Sequence, residues 1–167
     1  LDSIFAPVHR RLLEDLEVGA PTGESTPFAR WDFREGLEDT AGSLHGQLHG
    51  TARLEGGGLR LDGGGHVSTP AISTTVGEKT LEVWLQLSDL KQRGGGALTV
   101  QDLGGDIFDS IVYGEQAAGQ WIAGSNVFQR TQNFGAEVEA STAPDVVHLA
   151  IAYDADGLIR CYRNGAP

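Results

Sequence analysis

The sequence predicts an all-β protein of antiparallel strands, a sandwich or a barrel. Three observations carry that prediction. First, 24 of the 167 residues are glycine, about twice the average share of roughly 7%, and they lie scattered between short β-branched and aromatic runs, as a chain with many tight turns requires. Second, "KTLEVWLQL" alternates strictly. Leu81, Val83, Leu85 and Leu87 fall on one face, and Glu82, Trp84 and Gln86 on the other. Third, the chain carries hairpin signals: "DADG" between two apolar runs, and Asn164-Gly165 after "LIRCYR". Asn-Gly supplies the two positive φ angles that a type I′ turn needs.

The elements follow in order. In "DSIFAPVHRRLLEDLEV", Val8, Leu12, Leu13 and Leu16 have helical spacing, with Arg10, Arg11, Glu14 and Asp15 between them. Pro7 suits a first helical turn, so a helix is expected from about Ala6 to Glu17. "GAPTGESTP" then reads as a linker. Residues 1–27 are therefore helix and linker, and residues 28–167 a single β domain, a size that suits one core. "ALTVQDL", "FDSIVYGE", "QWIAGSN" and "VVHLAIAY" read as strands separated by Gly or Pro clusters, and "DADG" joins the last of them to "LIRCYR". After the Asn164-Gly165 turn the chain ends at Pro167, before a returning strand. Because it also begins at Leu1 rather than at a methionine, it reads as a fragment whose natural continuation supplies further strands. An unpaired edge invites pairing with another chain or with a second copy.

Composition narrows the function classes. With 12 Lys and Arg against 23 Asp and Glu, the net charge is −11, which gives no basic footprint for nucleic acid or anionic lipid. The single cysteine, Cys161, excludes an internal disulfide and any multi-thiolate metal site; in its apolar run it reads as a small buried hydrophobe. No apolar run approaches the roughly 18–20 residues of a membrane span, and the N-terminus lacks the residue order of a signal peptide.

The succession "FARWDFREGLEDTAGSLHGQLHGTARLEGGGLRLDGGGHVSTP", "KTLEVWLQL" and "HLAIAYDADGLIRCYRNGAP" resembles the laminin-G-like jelly roll of the concanavalin A-like lectin and glucanase superfamily. The resemblance covers Phe28 to Pro167 and rests on W-x-F, D-x-x-G-x-x-x-G, L-x-L-D-G-x-G-x-V, x-V-W-L, Y-x-x-D-G and Y-x-N-G. It implies an antiparallel jelly-roll β-sandwich. "LKQRGGGALTVQ", "FDSIVYGE", "WIAGSNVFQRTQNF" and "YRNGAP" look like the version of this module in large planctomycete proteins that also carry cytochrome-c-like domains. For those the resemblance implies an extracytoplasmic place and a role in polysaccharide degradation. Family copies continue past Y-R-N-G-x-P into further strands.

Candidate chemistry is sparse. His45 and His49 would share a metal on a helix, but Gly42, Gly46 and Gly50 disfavour one, and in a strand the two lie about 13 Å apart. The triplets Gly56–Gly58 and Gly63–Gly65 lack the lysine and the following helix of a phosphate loop and read as turns. "DADG" lacks the later ligands of a calcium loop. The resemblance nevertheless implies one calcium ion held by loop groups, with Asp39 in "LEDTAG" as the candidate ligand and Asp62 behind it. Glycoside hydrolysis needs two carboxyl groups at a set separation; Glu137 and Glu139 alternate onto one strand face but lack an E-x-D-x-E signature. Ser125 has no cue for a base. A sugar site needs an aromatic platform and a few polar groups, and "WIAGSNVFQRTQNF" offers Trp121, Asn126, Phe128, Arg130, Gln132, Asn133 and Phe134. Trp31 and Trp84, in strands, read first as core. The expectation is a non-catalytic module that binds a glycan for a larger extracytoplasmic protein. Its rival is a spacer that packs against the parent's other domains.

Overall fold

The computed structural model describes residues 26–135 and 137–167; the helix expected near Ala6–Glu17 lies outside them. The described chain is all-β and forms two compact units that divide between Thr75 and Val76.

The first unit pairs β1 (Gln47–Gly50) with β4 (Gly65–Ser68) in antiparallel register, with His49 opposite His66. Between them, β2 (Arg53–Glu55) and β3 (Gly58–Arg60) form a hairpin. Gly56 and Gly57, at φ of 64° and 79°, make its turn, so the first glycine triplet is a hairpin corner as its composition suggests. Ahead of these strands, the half-buried Trp31 donates its indole N–H to the Leu44 carbonyl at 2.7 Å.

The second unit holds two antiparallel sheets. In the three-stranded sheet, β10 (Val147–Tyr153) lies between β11 (Ile159–Arg163) and β5 (Lys79–Leu85). The other runs in order from β6 (Gly96–Gln101) through β7 (Phe108–Tyr113) and β8 (Trp121–Ser125) to the two-residue β9 (Gln132–Asn133). The strands read from alternation and apolar runs thus form. Leu81, Val147, Leu149, Ile151, Tyr153 and Cys161 of the first sheet pack with Ile111, Tyr113, Trp121 and Ala123 of the second in one core. The unit is therefore two-layered and sandwich-like. Cys161 is buried within it, and burial pushes its thiol up to about 11, as suits an inert hydrophobe.

Both hairpin signals become turns. Asn164 and Gly165 have φ of 50° and 82°, and Arg163 and Ala166 exchange backbone hydrogen bonds of 2.8 and 3.0 Å across them. "DADG" closes through Gly157 N–H on the Asp154 carbonyl at 3.0 Å.

The two sheets differ on their far faces. Val112 and Ile122, which point away from the shared core, are 4% and 0% exposed, so β7 and β8 are buried on both sides. The opposite surface of β5, β10 and β11 is open, since Thr80, Glu82, Trp84 and Arg160 are exposed. Burial also separates stabilising leucines from surface ones: Leu149→Ala, at a fully buried position, is expected to cost about 2–5 kcal/mol, whereas Leu103→Ala, at a 93% exposed one, should stay within about 0.5 kcal/mol. Urea unfolding of the two variants checks this.

Candidate functional site

The segment nominated for sugar binding is divided between core and surface. Trp121 is 4% exposed; its ring packs on Tyr113 at 4.8 Å between centroids, so it cannot serve as an outward platform. Phe134 packs against the same core. Arg130 turns to Asp109, with its Nε 3.0 Å from Oδ1, and to the Phe108 carbonyl. The Asn126 Oδ1 is buried without a hydrogen-bond partner. Gln132 and Asn133 on β9, and Phe128 in the preceding turn, are exposed. The segment thus does not assemble one face. Alternation could not reveal this, because β8 is apolar on both sides.

Trp121 instead marks a buried polar junction. Its indole donates to Glu139 Oε2 at 2.9 Å, and Arg163 grips both carboxylate oxygens at 2.9 and 2.7 Å. The N–H groups of Ala140 and Ser141 complete the shell on Oε1. Burial alone would push this carboxyl up, but the Arg163 and Trp121 donors, the Ser141 N–H and the Arg163 charge hold it at about 2. Glu139 therefore stays ionised with its oxygens engaged, which is structural work and unlike a general acid. Glu137 is exposed. Ser125 Oγ accepts the Arg130 N–H at 2.7 Å and lies 3.4 Å from Thr131 Oγ1, a loop-bracing role.

Asp39 and Asp62 are likewise engaged by protein donors. Oδ1 of Asp39 accepts the N–H groups of Arg30, Ala41 and Gly42, and Oδ2 accepts that of Leu44. Burial would raise this carboxyl, but those amides outweigh it and hold the group at about 2. A Cβ at Gly42 would lie 2.8 Å from both Asp39 Oδ2 and the Phe28 carbonyl, so "DTAG" needs glycine for the loop to close over its aspartate. Asp62 is bound by the Thr51 hydroxyl and by Arg53 Nη1. Among the described residues, no three His, Cys, Asp or Glu side chains come together as a metal site. A depression of about 570 Å³ is lined by Leu37, Glu38, His45 and Leu54; its two polar side chains are the Glu38 carboxylate and the His45 ring, whose Nδ1 already accepts the Asp39 N–H.

The open surface of the three-stranded sheet does assemble a site. Register sets it out in rows: Trp84 beside His148, Glu82 and Tyr162 on either side of Ala150, and Thr80 and Arg160 on either side of Ala152. Trp84, 41% exposed, stacks on His148 with ring centroids 4.4 Å apart and planes 19° apart. His148 Nε2 lies 2.8 Å from Glu82 Oε1. The carboxylate accepts, so in the neutral ring Nε2 carries the proton and the buried Nδ1 keeps a lone pair. Asn164 in the closing turn accepts the His148 N–H through Oδ1 at 2.9 Å and donates its own N–H to the His148 carbonyl at 2.8 Å. Two alanines on the central strand leave a shallow trough. Its flanks are roughly 9–10 Å apart, two strand spacings. Arg160 on one flank is paired with Asp154 at 2.6 Å. Sequence reasoning placed Trp84 beside Glu82 and Gln86 on a polar face, which was the available signal, yet read it as core.

No family model, curated protein or solved structure matches the chain. The two low-lying carboxyls make an acid-stability test. Both have folded values near 2 against ordinary values of 3.8 and 4.5, so the stability that they confer is complete above about pH 4.5 and is lost as pH falls toward 2. Urea midpoints should drop through that window. Glu139→Gln should flatten the drop and lower stability at pH 7, toward the low end of the roughly 3–5 kcal/mol cost of breaking a buried pair, because Arg163 is one-third exposed and can rehydrate.

Proposed function

We propose that the chain is a non-catalytic module that binds a glycan on the open face of β5, β10 and β11. The observation that carries this reading is the exposed Trp84 ring, braced flat on His148 at the end of an alanine-floored trough. Sugars present apolar ring faces and dense hydroxyls, and such ligands are held by an aromatic platform with a few fixed donors and acceptors. Glu82 supplies carboxylate oxygens, and Tyr162 and Arg160 supply donors. Among the described residues, none on this face pairs a second carboxyl with Glu82, which favours binding over hydrolysis. The site differs from the Trp121 segment first considered. A jelly-roll order of strands, of the laminin-G-like kind, accords with the sequence motifs and with two antiparallel sheets sharing a core. An extracytoplasmic setting within a larger protein rests on the sequence resemblance alone.

One observation favours protein docking as a second reading. Leu103, Ile107, Val127 and Phe128 are exposed at one end of the four-stranded sheet, because the β6–β7 turn and the β8–β9 loop leave adjacent strands at that end. Val127 and Phe128 also hold positive φ of 45° and 58°, a conformation that costs a side-chain-bearing residue energy and recurs at binding loops.

Affinity electrophoresis through gels cast with neutral polysaccharides separates the two readings. Retardation is expected for the native chain and should be lost in Trp84→Ala, while Phe128→Ala should migrate as native. Retardation that survives Trp84→Ala, or no retardation across a broad polysaccharide panel, would overturn the trough as a sugar site.

A further inference from the structure

We infer that His49 and His66 form a two-histidine site for a divalent transition ion that clips β1 to β4. The register places the two residues directly opposite each other. Their rings stack with centroids 4.6 Å apart and planes 13° apart. Two imidazole nitrogens bound to one zinc ion at about 2.0–2.1 Å lie roughly 3.3 Å apart in tetrahedral geometry. In the stacked arrangement the ring lone pairs lie in nearly parallel planes, so binding requires both rings to turn about their side-chain bonds until one nitrogen of each converges on the ion. His66 is exposed and His49 half-buried, so an ion approaches from solvent. His49 Nε2 contacts the Ser68 hydroxyl at 2.7 Å; with Nε2 donating to that oxygen, Nδ1 keeps the lone pair that would bind the ion, and Ser68 orients the ring from behind.

The donor set decides the class of ion. Imidazole nitrogens suit zinc, nickel and copper, whereas calcium and magnesium require several oxygens, carboxylates above all. With two protein ligands, the remaining positions belong to water, so the ion is exchangeable. His45 is not a member, because its Nδ1 accepts the Asp39 N–H. The His45–His49 pairing, which needs a helix, was disfavoured on the sequence, and the candidate pair is a cross-strand one. Closure of the segment between the two histidines by an ion adds a tie to a sheet of only two short strands, and binding to the folded form alone raises stability.

Titration of the untagged chain with zinc chloride, followed by calorimetry and by the imidazole signals in NMR, tests the site. The expected result is one ion per chain, perturbation of the His49 and His66 rings together, and a melting temperature that rises with zinc. His49→Ala and His66→Ala should each weaken binding by about tenfold or more and abolish the thermal shift, while His45→Ala should leave both unchanged. Calcium chloride should give no response. Zinc binding unaltered in His66→Ala, perturbation confined to other histidines, or no binding at all would overturn the inference. Because the pair lies in the first unit, none of these outcomes bears on the trough.

Discussion

The Glu139 carboxylate is the interaction on which the second unit depends. A buried carboxylate is tolerated only when its lone pairs are filled and its charge is met, and here the partners come from both layers: the Trp121 indole from β8 and the Arg163 guanidinium from β11. Apart from the Lys79–Asp109 ion pair, which also bridges the two sheets at 2.7 Å, the core between them is largely apolar and gives attraction without direction. The carboxylate supplies direction, because a slide of β11 by one residue would turn Arg163 outward and leave the charge unmet. The same register decides which residues of β11 face outward, so the positions of Arg160 and Tyr162 beside the alanines follow from the buried side of their own strand.

Sheet alternation then turns one requirement into two surfaces. On β10, Val147, Leu149, Ile151 and Tyr153 fill the interior, which compels His148, Ala150 and Ala152 to look out. Their neighbours across the ladder are Trp84, Glu82 and Thr80 on one side and Tyr162 and Arg160 on the other. β7 and β8 lack this contrast because both of their faces are buried.

Much of this was legible in the residues, and the illegible part has a common cause. The alternating run 79–87, the apolar runs that became β7, β8 and β10, and the positive-φ turn at Asn164-Gly165 are local signals and were read correctly. Local signals also placed Trp84 on a polar face. What assembles the candidate sites is pairing between distant segments. Trp84 meets His148 only through the β5–β10 ladder, His49 meets His66 only through the β1–β4 ladder, and Trp121, buried in the core, finds the partner of its indole N–H in the distant Glu139. Asp39 was nominated as a cation ligand by the family resemblance. Four backbone amides that converge on one carboxylate are invisible without coordinates, although Gly42 three residues later hinted at a tight closure.

The bracing of Trp84 sets the character of any recognition at the trough. The ring rests on His148, whose Nε2 is held by Glu82 and whose backbone is held by Asn164 in the closing turn. Little side-chain freedom remains to be lost when a ligand arrives, so ordering costs stay small. The contact area of one ring and a few polar groups is small as well. For the proposed glycan, so small a pre-ordered surface favours weak, readily reversible contacts repeated along a polymer over one tight anchor.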